Sequence, residues 1–281
     1  NGNAEIVQRL LQHGADPNTT SNGGETALMT AARTGDPGCV AALLASGAEI
    51  DSRERSRQTA LMWSAGEGHA EVVDLLLVAG AEFREPLKSG FTTLLFAVRN
   101  GHIDVVTSLL GAGANVNEAA EPVRPRGKRM RSGTAPLMLA VENGHFELAI
   151  KLVDAGADPN DQRSGFTPLH ALTWVRKSVR GDGDDGIPTP RGSGRLGSLG
   201  FARALVGRGA DVNARDLSGF SAGETPLIVA AMKGNTEIAA MLIAKGANVN
   251  MKTKDGQTAL IYAARAPEDR SAIAKLLIEN G

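Results

Sequence analysis

One leucine recurs at a near-constant interval along the whole chain, and no other feature restricts the fold as tightly. It opens a T-[AP]-L or equivalent motif at Leu28, Leu61, Leu94, Leu137, Leu169, Leu227 and Leu260, with intervals of 33, 33, 43, 32, 58 and 33 residues. The base period is therefore 33, broken by two insertions. A second motif keeps the same rhythm in "GHAEVVDLLLVAGAE", "GHIDVVTSLLGAGAN", "GHFELAIKLVDAGAD" and "GNTEIAAMLIAKGAN". A repeat of this length is one supersecondary unit that cannot bury its own apolar face, so neighbours must stack to share a core.

Each unit can be read residue by residue. In "TALMTAARTG" and its relatives, small and apolar residues recur at helical spacing. Thr26, Thr59, Thr92, Thr167, Thr225 and Thr258 stand where a side-chain oxygen caps a first helix. Pro136, Pro168 and Pro226 suit its first turn, where no amide donor is needed. Gly68, Gly101, Gly144 and Gly234 end that helix, and His69, His102, His145 and Asn235 begin the second. A glycine then follows the second helix, as at Gly80 and Gly113, before a projecting loop. The 34 glycines and the low aromatic content (4%) suit helices joined by many tight turns.

A 33-residue repeat with T-P-L, then G-H, then an apolar helix ending in G-A-D-x-N resembles the ankyrin repeat. The likeness covers nearly the whole chain. It implies an all-α solenoid of about eight helix-turn-helix units with projecting hairpin-like loops, or fingers, forming one domain over residues 1–281. The chain opens on "NGNAEIVQRLLQHGADPN", the second half of a unit, so the first repeat is expected to be truncated. Slim, Ala-rich first helices paired with bulkier second helices curve such a stack, and the family's concave face is lined by inner helices and fingers.

The insertions are expected near 118–133 and 176–199. The first carries Arg124, Arg126, Lys128, Arg129 and Arg131, a basic loop suited to an acidic partner or a phosphate backbone. No aromatic residue interleaves these cations, so base stacking has no platform. The second, "RKSVRGDGDDGIPTPRGSGRLGS", splits the sixth repeat and reads as a loop rich in Gly, Pro and charge. Its Asp182, Asp184 and Asp185 do not match an EF-hand, which needs D-x-D-x-D-G and a Glu at position twelve, where Ser193 stands.

Catalysis and cofactors find little support. His69, His102 and His145 repeat at the same position, but helices stacked roughly 8–10 Å apart cannot bring two imidazoles onto one zinc. They are expected to act at helix starts, and His170 of "TPLH" to fasten neighbouring turns. Cys39 is the one cysteine, has no His-containing motif beside it, and is expected to be a buried spectator. "GSGRLG" at 192–197 lacks the G-K-[ST] of a phosphate loop and the preceding strand of a dinucleotide site. No nucleophile elbow occurs. No catalytic residue, metal or cofactor is expected.

The balance of 30 basic and 31 acidic residues gives no global attraction for nucleic acid or anionic membranes. No apolar run approaches the roughly 18 residues of a membrane span. The expected function is a non-catalytic scaffold, a monomer binding a protein or peptide through the concave face. By family position this face comprises Glu25, Arg33, Gln58, Glu67, Phe91, Arg99, Glu142, Phe166, Trp174, Glu224, Lys233, Gln257 and Arg265. Trp63, Phe96 and Tyr262 sit one position nearer the core and are expected to pack. Two alternatives stand beside this reading: a regulatory segment of a larger enzyme or transport protein, and nucleic-acid binding through the loop at 124–131. Arg outnumbers Lys by 21 to 9, in keeping with a GC-rich bacterial gene.

Overall fold

The computed structural model describes residues 4–122, 131–173, 192–217, 223–266 and 270–281. Among these, fifteen α-helices and no strands form. Inner helices are α2 (Ala27–Thr34), α4 (Ala60–Glu67), α6 (Thr93–Asn100), α8 (Pro136–Glu142), α10 (Pro168–Ala171), α12 (Pro226–Met232) and α14 (Ala259–Arg265). Each is followed by an outer helix: α3 (Pro37–Ala45), α5 (Ala70–Val78), α7 (Ile103–Gly111), α9 (Phe146–Asp154), α11 (Ser198–Val206), α13 (Thr236–Ala244) and α15 (Ser271–Glu279). A single outer helix, α1 (Ala4–Gln12), precedes them, so the helices make seven pairs and one half, in line with about eight repeats. The chain divides into two compact units, residues 1–115 with 120–131 and residues 116–119 with 132–281.

Five of the six cap threonines form their caps, whereas Thr167 turns its hydroxyl to His170 Nδ1. The hydroxyls of Thr26, Thr59, Thr92, Thr225 and Thr258 accept from the amides three residues on, at 3.3–3.4 Å. Pro136, Pro168 and Pro226 occupy the first turn of their helices. The inner helices bury alanines between neighbours, among them Ala32, Ala65 and Ala97 in the first unit and Ala140, Ala230 and Ala231 in the second. The outer helices bury one stripe each, such as Val72, Val73 and Leu76 of α5. Each such aliphatic side chain contributes about 1.5–3 kcal/mol when removed from water. In the second unit the stacked rings of Phe146 and Phe201, 4.6 Å apart, join α9 to α11.

Short helices leave many terminal groups unpaired, and neighbouring repeats supply the partners. His69 Nε2 meets the Arg33 carbonyl at 3.0 Å, and His102 Nε2 meets the Gly66 carbonyl at 2.9 Å. The expected role of these histidines is thus refined: they cap the end of the preceding inner helix. Arg270 does the same in the last repeat, with Nη1 on the carbonyls of Ala231 and Met232. The imidazole lies so close over the preceding helix end that a Cβ added at Gly68, where φ is +88°, would fall 2.5 Å from His102 Nδ1.

The Asn of G-A-D-x-N forms a second clasp. The Asn160 amide nitrogen donates to the Gly209 carbonyl (2.9 Å) while its oxygen accepts from the Asp211 amide (2.7 Å). Asn18, Asn117 and Asn213 repeat the same pair of bonds one repeat along. Asp51 stands at this position in the second repeat and can only accept, from Glu82 at 3.0 Å.

Each finger turns back through a residue two before the helix cap. Six of seven fingers place glycine there: Gly24, Gly90, Gly133, Gly165, Gly223 and Gly256, all with φ between +73° and +105°. The seventh places Arg57 there at φ +69°, the one non-glycine residue with positive φ among the described residues. A side chain in this left-handed conformation costs about 1–2 kcal/mol.

Replacing Asp51 with Asn restores the missing donor and should raise stability by about 0.5–1.5 kcal/mol in urea unfolding. Asn160→Ala, which removes both bonds, should lower it by about 1–3 kcal/mol in the same measurement.

Candidate interaction face

Side chains in an α-helix lean toward its N-terminus. An Arg in the last turn of an inner helix therefore reaches back toward the residue before the cap. Arg33 lies 3.8 Å from Glu25, the Arg99 guanidinium 5.0 Å from the Phe91 ring, and Arg265 donates to Gln257 at 2.9 Å. The family positions expected to face a partner are thus brought together as pairs within their own repeats.

In the first unit these pairs extend across aromatic rings. The Arg33 guanidinium lies over the ring of Trp63, 5.3 Å from its centroid, which links two repeats. Arg99 lies over both Phe91 and Phe96, and these rings meet at 5.0 Å with a tilt of 40°. Such cation–ring contacts hold long side chains in place. Arg33, Arg99 and Glu67 are exposed, whereas Phe91 is half-buried. Phe96 is buried as expected. Trp63, expected to pack, is half-buried and keeps part of its ring at the surface.

In the second unit Lys233 and Arg265 are exposed and Glu142 is half-buried. Phe166 requires a correction: it is 6% exposed, so its ring is packed away and offers a partner almost no surface. Glu224 is also buried; burial first, and the Asp216 carboxylate second, push its carboxyl above the usual range, against the pull of Lys233. Trp174, the acidic residues Asp182, Asp184 and Asp185, and Arg124, Arg126, Lys128 and Arg129 of the basic loop lie outside the described residues. Arg131 at the end of that loop is exposed.

The His170, Glu147 and Cys39 side chains, which have reactive potential, are engaged or buried within the fold. His170 is buried; its Nδ1 faces the Thr167 amide (3.3 Å) and hydroxyl (2.8 Å), and its Nε2 faces the Glu224 carbonyl (3.1 Å). Nε2–H donates to that carbonyl, so Nδ1 accepts both bonds from Thr167 and the ring is neutral. It fastens two repeats, as its place in "TPLH" implies. The stretch at 192–197 does cradle an anion, but the anion is Glu147. One Glu147 carboxylate oxygen accepts from the amides of Arg195 (2.5 Å) and Leu196 (2.6 Å), while Ser193 Oγ meets His145 Nδ1 at 2.8 Å. The Cys39 thiol is buried, and burial followed by Asp36 pushes its pKa up, away from the reactive thiolate. Among the described residues no group of three or more His, Cys, Asp or Glu side chains could hold a metal ion. No helix among them is long and apolar enough to cross a membrane.

The family model for ankyrin repeats (3 copies) matches residues 1–54, 47–120, 94–176 and 194–281. The chain belongs to the ankyrin-repeat family. Ankyrin repeats generally mediate protein–protein interaction and are typically not enzymes. Among solved structures, the human ASB11 ankyrin repeat domain is similar, with a TM-score of 0.66 and 24% identity. That match covers 92% of this chain and 99% of the other. No curated protein matches.

Burial lowers the pKa of His170 below its ordinary value of 6.5, outweighing the bond to Glu224 and the nearby Asp216. Folding therefore excludes a proton, and His170 costs stability progressively as pH falls below about 6.5. The stability of the native chain minus that of His170→Met should shrink between pH 7.5 and pH 5, by at most about 1.4 kcal/mol per pH unit. Urea unfolding across this range checks it.

Proposed function

We propose that the chain is a non-catalytic scaffold that binds a protein or peptide partner through its inner-helix and finger face, the concave side in the ankyrin family. The observation that carries this reading is the ordering of Arg33 on Trp63 and of Arg99 on Phe91 and Phe96. Arginine and aromatic side chains dominate the energy of protein interfaces when a partner covers them. Here they are held in place beforehand, so less side-chain freedom is lost on binding. In the second unit Arg265 presents a cation at the same repeat position, and Lys233 presents one a residue further along its repeat.

The test is selection of a phage-displayed random peptide library on the native chain and on Arg33→Ala/Phe91→Ala/Arg99→Ala. The variant's fold is checked by thermal melting. Peptides enriched on the native chain should bind the folded variant at least about 10-fold more weakly, as expected when residues worth more than 1 kcal/mol each are removed. Equal affinity for both proteins would place the site elsewhere.

A further inference from the structure

The fingers of the first unit present cations on a frame that is tied down. The Arg55 amide donates to the Gly23 carbonyl at 3.1 Å, which joins the second finger to the first. Arg53 pairs with Glu85 at 2.6 Å, which joins it to the third, and also donates to the Arg57 carbonyl at 3.1 Å. Two acidic residues of these fingers are already engaged. The Glu54 carboxylate accepts from the amides of Ser56 (2.6 Å) and Gln58 (3.0 Å), and Glu85 holds Arg53. Arg55, Arg57 and Lys88 are exposed, with no ion-pair partner among the described residues.

Arg57 adds an independent observation. It stands where the other six fingers have glycine and holds the left-handed backbone that glycine adopts without strain. Its side chain is exposed and makes no ion pair or ring contact among the described residues. Strained residues of this kind collect at binding sites, where the side chain serves a ligand. Chain order places aromatic surface beside these cations: Phe91 directly follows Gly90, the turn residue of the Lys88 finger.

We propose that the first unit recognises an acidic peptide segment carrying aromatic side chains. Arg55, Arg57 and Lys88 take its carboxylates, while Trp63 and Phe91, with their stacked arginines, take its rings. This rests on the face assigned above and names its ligand chemistry. Guanidinium groups suit carboxylates because they donate two parallel hydrogen bonds. Charge complementarity at exposed finger tips speeds and selects the encounter, and salt screens it.

The intact chain is titrated by fluorescence anisotropy with a labelled peptide of four Glu-Glu-Tyr repeats. Matched peptides of Ser-Gly-Tyr and Lys-Lys-Tyr repeats and an oligothymidylate serve as controls. The acidic peptide should bind at least about 10-fold tighter than every control, weakening as NaCl rises from about 50 mM to about 500 mM. Arg55→Ser/Arg57→Gly/Lys88→Ser should weaken it at least about 10-fold. Arg57→Gly alone should weaken binding while its melting temperature stays at or above that of the native chain, since it relieves the left-handed strain. Equal binding of the Ser-Gly-Tyr peptide, or tighter binding of the oligothymidylate, overturns the proposal. So does full affinity in the finger variants. In that last case Arg33→Ala/Phe91→Ala/Arg99→Ala separates the two readings. Loss of binding there keeps the inner-helix face and removes only the finger tips; no loss removes both for this peptide.

Discussion

An inner helix of eight residues or fewer has as many unpaired terminal amides and carbonyls as paired ones, and it is too short to persist alone in water. Beyond their own threonine caps, neighbouring repeats supply several of the missing partners. His69, His102 and Arg270 reach back to the last carbonyls of the inner helix before them. Asn18, Asn117, Asn160 and Asn213 clasp the turn after the next outer helix. Apolar burial drives the stacking, but these bonds set its register. An imidazole or a primary amide finds its target only when the repeats meet at one spacing. A repeat taken singly would lose both the burial of its alanines and the bonds from its neighbours' histidine, arginine and asparagine side chains.

The interaction face follows from the same shortness. Because the inner helix is brief and its side chains lean toward its start, a last-turn arginine returns to the residue that precedes the cap. The pairs Glu25–Arg33, Phe91–Arg99 and Gln257–Arg265 are one geometric relation expressed with different chemistry. The backbone supplies a repeated pair of positions, and this chain fills them with charge, ring or amide. The packing that stabilises the array leaves those positions free to vary, which is why one scaffold accepts many partners.

The period was legible in the sequence as a recurring motif, and so were five of the threonine caps, because each depends on a bond to the amide three residues on. The tasks of His170 and of Cys39 were legible too, since a T-P-L-H motif and an isolated thiol each leave few alternatives. Phe166 and Trp63 were not. Both occupy face or near-face positions, and which ring sinks depends on the volume left by the next repeat. Phe166 is packed away, whereas an arginine from the preceding repeat lies across a partly exposed Trp63. Arg57 could have been found: aligning the fingers on the motif leucine shows one arginine in a column of glycines. Its meaning needed the backbone angle, which shows that the turn keeps its left-handed form without the glycine.

The sequence by itself determined that this chain is a stack of short helical repeats, because a 33-residue unit cannot bury its own apolar stripes, and its T-P-L, G-H and G-A-D-x-N motifs supplied the resemblance to ankyrin repeats. The positions expected to face a partner came from the resemblance to ankyrin repeats. Only the tertiary structure decided which of those side chains are available. It engaged Glu54 and Glu85 in the finger frame, filled the glycine-rich turn before α11 with Glu147, and ordered Arg33 and Arg99 on aromatic rings. The reason is range: local signals report what a residue does to its own backbone, whereas availability depends on atoms about one repeat away.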